Sequence, residues 1–222
     1  MESSQSRLAG TPTGRCPYVV GVPANHVFPA KNIKCYHPKG QLAFPTVPYY
    51  FQPMQFHTAT INTWKHLLQD DSFKDIIINS LNWLHDNNRA ITHGFVIMPN
   101  HIHLLWTTFE TGKQHPDHAL ASHTAHEFKK RITGYPESGK LLNPYISTQA
   151  DRDYHFWERR PKSVDIKDRN MAARTLEYIH NNPLQEHWRL AEFQEDYKYS
   201  SAGYYINGKS EFKFLKHVGE FL

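Results

Sequence analysis

From residue 54 onward, hydrophobic and polar positions alternate with regular periods; before it they do not. The stretch MQFHTATINTW, which begins at Met54, mixes small, β-branched and aromatic residues and predicts a strand. Phe73, Ile76, Ile77, Ser80, Leu81 and Leu84 then recur at helical spacing. Asp70, Asp71 and Ser72 are available to cap that helix, and Asn87 and Asn88 end it. AITHGFVIMP reads as a buried strand, Pro99 and Asn100 as a turn, and HIHLLWTTF as the neighbouring strand. A second helix is predicted over about 119–133, with Ala121, Ala125, Phe128 and Ile132 on one face and Gly134 as its stop. DYHFWERRPKSVDI predicts a further strand, bent or ended at Pro161. A third helix follows over 167–182, with Ala172, Thr175, Leu176 and Ile179 inward and Pro183 ending it. The last forty residues mix aromatics with charge and predict only a short strand or helix, and no internal repeat is visible.

This order of elements predicts an α+β fold of the ferredoxin-like, split βαβ kind, an antiparallel sheet with its helices on one face. Eight of the fourteen prolines fall in the first 53 residues, together with Gly10, Gly14 and Gly21. Residues 1–50 therefore read as a flexible, proline-rich extension, and 51–222 as the folded domain.

Composition narrows the class. Hydrophobic residues are 39% and charged residues 21%, the balance of a globular chain. There is no apolar run of eighteen residues and no apolar core near the N-terminus, so a cytoplasmic protein without a membrane partner is expected. Cys16 and Cys35, with His26 and His37, match no common zinc spacing. A net charge of +4 is compatible with a nucleic-acid partner. With sixteen histidines in the chain, position has to select the functional ones.

Two positions do so. On a strand, His101 and His103 project to one face while Ile102, Leu104 and Trp106 pack under the helices. Two imidazoles at this spacing can clamp a divalent ion, although the strand period also produces such pairs by chance. On the third helix Tyr178 and Asn182 are four apart, with Arg174 one turn earlier, opposite the apolar stripe. That face offers a phenol to attack phosphorus, an amide oxygen to complete a metal shell and a guanidinium to neutralise phosphate. A tyrosine there can equally do no more than cover apolar side chains. Histidine-triad hydrolases need a third histidine where Leu105 stands, and HTAT at His57 does not supply the repeated H-x-T of two-histidine phosphoesterases.

Five blocks occur in series between residues 54 and 205: HGFVIMPNHIHLLW, HEFKKRITG, FWERR, LEYIHNNPLQEHW and DYKYSSAGYY. Together they resemble the REP-associated tyrosine transposases, relatives of the single-tyrosine insertion-sequence transposases of the HUH superfamily. The resemblance implies the HUH endonuclease fold, with His101 and His103 as metal ligands, Asn182 as the third ligand and Tyr178 as nucleophile. It also implies Mg²⁺ or Mn²⁺ as cofactor and a 5′-phosphotyrosine intermediate. Single-stranded DNA bearing a hairpin is the implied partner, and Lys129 falls where the family carries a basic residue near DNA. Monomer and homodimer both remain open, as does a catalytically silent hairpin-binding regulator of the same fold. Beyond the resemblance, Lys130, Arg131, Arg159 and Arg160 are candidates to track a phosphate backbone. Trp64, Trp157, Trp188, Tyr197 and Tyr199 are candidates to stack on unpaired bases or to pack the core. His180, two residues from Tyr178, points elsewhere.

Overall fold

The strands and helices are, in chain order, β1 (Met54–Thr60), α1 (Asp71–Asp86), β2 (Ala90–Ile97), β3 (His101–Thr108), α2 (Pro116–Thr133), α3 (Ser138–Leu142), β4 (Lys162–Asp165), α4 (Arg169–Asn181) and α5 (Ala202–Asn207). This computed structural model describes residues 53–109, 113–148, 150, 153–208 and 210–221. The extension over 1–50, with Cys16, His26, Cys35 and His37, lies outside the described residues.

Helix α1 starts where expected because the Asp70 carboxylate accepts from the Ser72 backbone N–H. Helix α2 starts three residues earlier than its apolar pattern suggested, since Pro116 is suited to a first helical turn. Helix α4 begins behind Asp168, whose carboxylate accepts from the Met171 N–H. The strand expected across Pro161 is realised only as the exposed β4, beyond the proline. Proline has no N–H for a ladder, and the residues before it pair through single bridges, Ile61 with Trp157 and Ile146 with Tyr154.

The strands lie in the order β2-β3-β1-β4 with every neighbouring pair antiparallel, which is the interleaved βαβ arrangement expected. Ile102, Leu104 and Trp106 of β3, with Phe95 and Ile97 of β2, form one side of the core. Phe73, Ile77, Leu81 and Leu84 of α1 and Leu120, Phe128 and Ile132 of α2 form the other. Phe128 alone, fully buried, contributes roughly 1.5–3 kcal/mol relative to exposure.

The helices are not all on one face. Helices α1 and α2 are, but α4 packs on the opposite side, with Ala172, Leu176, Ile179 and His180 buried. A Cβ built on Gly94 of β2 would lie 2.3 Å from Leu176 Cδ2 and 3.6 Å from Leu105 Cβ, which places α4 over the face that Leu105 shares with His101 and His103. The physical reason is local. Among the described residues no further strand of the sheet follows α4, and its apolar stripe meets the apolar surface around Gly94 and Leu105; with the segments around Ser200 and Leu215 that bridge to β2, it leaves every residue of β2 and β3 buried. His180 secures the contact by hydrogen bonding through Nε2 to Ser201 Oγ at 2.7 Å, and Ser201 Oγ in turn accepts from the Phe95 N–H at 2.9 Å.

Candidate functional site

The site stands on the face that α4 covers. Antiparallel pairing sets Thr58 of β1 directly opposite His103 of β3. The Thr58 hydroxyl lies 2.8 Å from His103 Nδ1. With Nδ1 donating to it, His103 keeps its lone pair on Nε2. His101 Nδ1 lies 2.6 Å from Asn100 Oδ1, an oxygen that can only accept, so His101 Nε2 also carries a lone pair. The two rings are 4.7 Å apart, and the Asn182 side chain hydrogen bonds to His101.

Both imidazoles are neutral at physiological pH. Burial, with smaller contributions from the neighbouring His101 and His57, pushes His103 down to about 3. Burial likewise pushes His101 down to about 4, against the hydrogen bond with Asn182, and His187 adds to the lowering. The site thus presents two fixed, unprotonated ring nitrogens and one buried amide. Among the described residues no three His, Cys, Asp or Glu side chains gather to hold a metal, and the Asn182 amide beside His101 is a further oxygen donor at the site. That donor chemistry fits a divalent cation.

Tyr178 leaves α4 toward β1 and β3, where its ring meets Phe56 and His103. Its hydroxyl is 3.4 Å from His103 Nε2, and the residue remains 46% exposed to solvent. Phe56 packs against His103 and sets its edge to Tyr178, with ring centroids 5.2 and 5.9 Å away. Asn182 lies one turn on, where α4 runs into a short 3-10 turn (Asn182–Leu184) with helical backbone angles. This continuity keeps Asn182 on the same side as Tyr178.

The other expected residues are placed less centrally. Arg174 is exposed one turn before Tyr178. Lys129, Lys130 and Arg131 lie on α2, across the sheet from the histidines. Lys129 reaches Asp153 at 3.5 Å and lies over the Tyr154 ring at 4.6 Å. Lys130 pairs with Glu127 at 3.6 Å, and Arg131 donates to Ser72 Oγ at 2.8 Å. Arg159 borders a cavity of about 590 Å³ on that same α2 side, lined also by His57 and Asp117. The structure does not bring these four to the tyrosine.

Of the aromatic candidates, Trp157, Tyr197 and Tyr199 pack. Trp157 donates to Thr124 Oγ1, Tyr197 to the Ile97 carbonyl and Tyr199 to Asp75. Trp64 and Trp188 instead have their ring centroids 6.3 and 6.1 Å from that of His101. Thr58 and Asn100, which orient the two imidazoles, were not singled out in the sequence. Asn100 had a signal, since it directly precedes His101, whereas Thr58 is reached only through the β1–β3 register.

No protein-family model and no curated protein matches the chain. Among solved structures it is similar to a REP-associated tyrosine transposase bound to a REP hairpin, at 15% identity and a TM-score of 0.47, over 75% of this chain and 84% of that one. It is also similar to a candidate transposase from Deinococcus radiodurans R1, at 17% identity and a TM-score of 0.36, over 66% of this chain and 97% of that one.

Proposed function

We propose that this chain cuts and rejoins single-stranded DNA next to a hairpin, with Tyr178 as the nucleophile. The observation that carries the reading is the exposed Tyr178 hydroxyl 3.4 Å from Nε2 of a buried, neutral and doubly positioned His103. Hairpin-bearing DNA is the substrate class that the sequence blocks imply.

In this reading Tyr178 Oη attacks the phosphorus and the P–O3′ bond breaks. The phenolic proton passes to the departing oxygen, leaving a 3′-OH and a 5′-phosphotyrosine. A second 3′-OH reverses the step: its oxygen takes the phosphoryl group and the phenol regains a proton, so strands are rejoined without an external energy source. Nε2 of His101, Nε2 of His103 and the Asn182 amide oxygen would hold Mg²⁺ or Mn²⁺. A cation bound there would supply Lewis-acid stabilisation of charge on the phosphoryl oxygens. Thr58 and Asn100 hold the rings in the one orientation that turns both lone pairs inward. Arg174, exposed on the tyrosine's helix, is the cation best placed to meet the phosphate backbone, whereas Lys129, Lys130, Arg131 and Arg159 would contact only DNA that wraps round to α2.

The test uses end-labelled hairpin oligonucleotides from the flanks of the protein's own gene, with Mg²⁺, Mn²⁺ or EDTA, and the Tyr178→Phe variant. A metal-dependent covalent protein–DNA band that vanishes in the variant is the expected result. A band that persists in the variant would sink the assignment of the nucleophile. Hairpin binding without covalent product under both metals would leave a binding-only protein.

A further inference from the structure

Beside His101 stands a tryptophan that the chain holds in the open at a conformational cost. Thr63 has φ 55° and ψ 31°, and Trp64 has φ 57°. A β-branched and a bulky residue in succession in the left-handed region form an outlier that persists only where the surroundings impose it. Three hydrogen bonds do so. The Thr63 N–H donates to Glu158 Oε1 at 2.7 Å, the Trp64 N–H to the Ile61 carbonyl at 2.9 Å, and Asn100 Nδ2 to the Trp64 carbonyl at 3.3 Å. The indole of this strained residue is left 62% exposed.

The same Asn100 ties this strained turn to the site. Its Oδ1 accepts from His101 Nδ1 while its Nδ2 donates to the Trp64 carbonyl, so one side chain ties the Trp64 backbone to the imidazole. A second indole arrives from a distant segment. Trp188, in the turn after α4, lies 6.1 Å from His101, with His66 at 5.6 Å and His187 at 5.3 Å from its own ring. Trp83 makes a contrast: it is 52% exposed on α1, and its neighbour is Arg89, 6.0 Å away.

We infer that Trp64 and Trp188 form a stacking seat for an unpaired nucleobase beside the phosphate that Tyr178 attacks. The inference rests on the proposed DNA substrate and adds to it the residues that fix the strand's position. Indoles suit the task because every base has a π-face, so a seat of this kind orients a strand without demanding one sequence. Trp64 is then a positioning residue, made rigid by its backbone.

The test separates bases from phosphates and needs no catalysis. Binding is measured in EDTA to an oligothymidine of about 16 nucleotides and to an abasic strand of equal length and charge. The wild type is expected to favour the thymidine strand by roughly 5- to 150-fold, the range for one stacked base. Trp64→Ala and Trp188→Ala are each expected to remove most of that ratio, and Trp64→Phe to restore part of it. A role confined to folding or to charge would weaken both strands alike and leave the ratio unchanged. An unchanged ratio in either alanine variant, or no preference in the wild type, overturns the seat. Tyr178→Phe is expected to keep the ratio, so failure of the covalent-adduct assay and failure of this one are read separately.

Discussion

Replacing Gly94 by alanine tests whether α4 is held at the distance that Tyr178 needs. Gly94 sits on β2 where the register with β3 shifts, under the middle of α4. The added Cβ would lie 2.3 Å from Leu176 Cδ2, 3.5 Å from Ser201 Oγ and 3.6 Å from Leu105 Cβ. Carbon atoms pack at about 3.5–4.0 Å, so more than an ångström of room has to be found. Leu176 is fully buried. Either it takes an off-rotamer pose or α4 lifts from the sheet. Overpacking of this kind costs about 1–3 kcal/mol. Urea unfolding reads that cost as a lower midpoint with an unchanged slope. If α4 lifts by about 1 Å, adduct formation by the proposed reaction is expected to fall on the order of 100-fold, since that reaction needs the phenol in line with the phosphorus. The control is Leu176→Ala. That change alone costs about 2–5 kcal/mol, and Gly94→Ala added to it is expected to be nearly neutral, a coupling of about 1–3 kcal/mol. Additive costs in the double variant, or a Gly94→Ala cost below about 0.5 kcal/mol in the wild-type background, would refute the reasoning.

Two further outcomes are expected. Thr58→Val keeps the side-chain shape but removes the acceptor for His103 Nδ1–H, and Mn²⁺ affinity measured by calorimetry should fall about 10- to 100-fold with the fold intact; equal affinity would argue against His103 as a ligand. Acid should unfold the domain cooperatively, because burial holds His57 and His93 down at about 4 and His180 at about 3. Their folded pKa lies below the unfolded value of about 6.5, so the unfolded chain binds more protons as pH falls. Stability is therefore complete above about pH 6.5 and lost progressively toward pH 4, by about 3 kcal/mol for each of these histidines. Circular dichroism against pH checks this, and a stability flat from pH 7 to pH 4 would contradict it.

Local periodicity carries a great deal in this chain. The two-residue strand period alone put His101 and His103 on one face and Ile102, Leu104 and Trp106 on the other, and the structure has both. The helical repeat alone aligned Tyr178 with Asn182 and buried Ala172, Leu176 and Ile179. The element order implied the β2-β3-β1-β4 sheet, since two antiparallel hairpin strands and two crossovers leave few other arrangements.

What the sequence left open depends on contacts between segments far apart in the chain. Thr58 reaches His103 only because β1 and β3 pair in one register; a slip of one residue would turn Thr58 to the other face. The same is true of α4. Its apolar stripe says that it must cover something, but the unmatched surface around Gly94 and Leu105 decides which face, and so brings Tyr178 to the histidines. Lys129, Lys130 and Arg131 show the converse: a basic run is easily read from sequence, yet the packing of α2 puts it across the sheet from the site. Trp64 was one aromatic among several until backbone strain and Asn100 fixed it beside His101. The sequence by itself determined the elements and the chemistry available on each face, because both follow from neighbours within two to four residues. Only tertiary packing decided which faces meet, because that balance is struck over the whole buried surface at once.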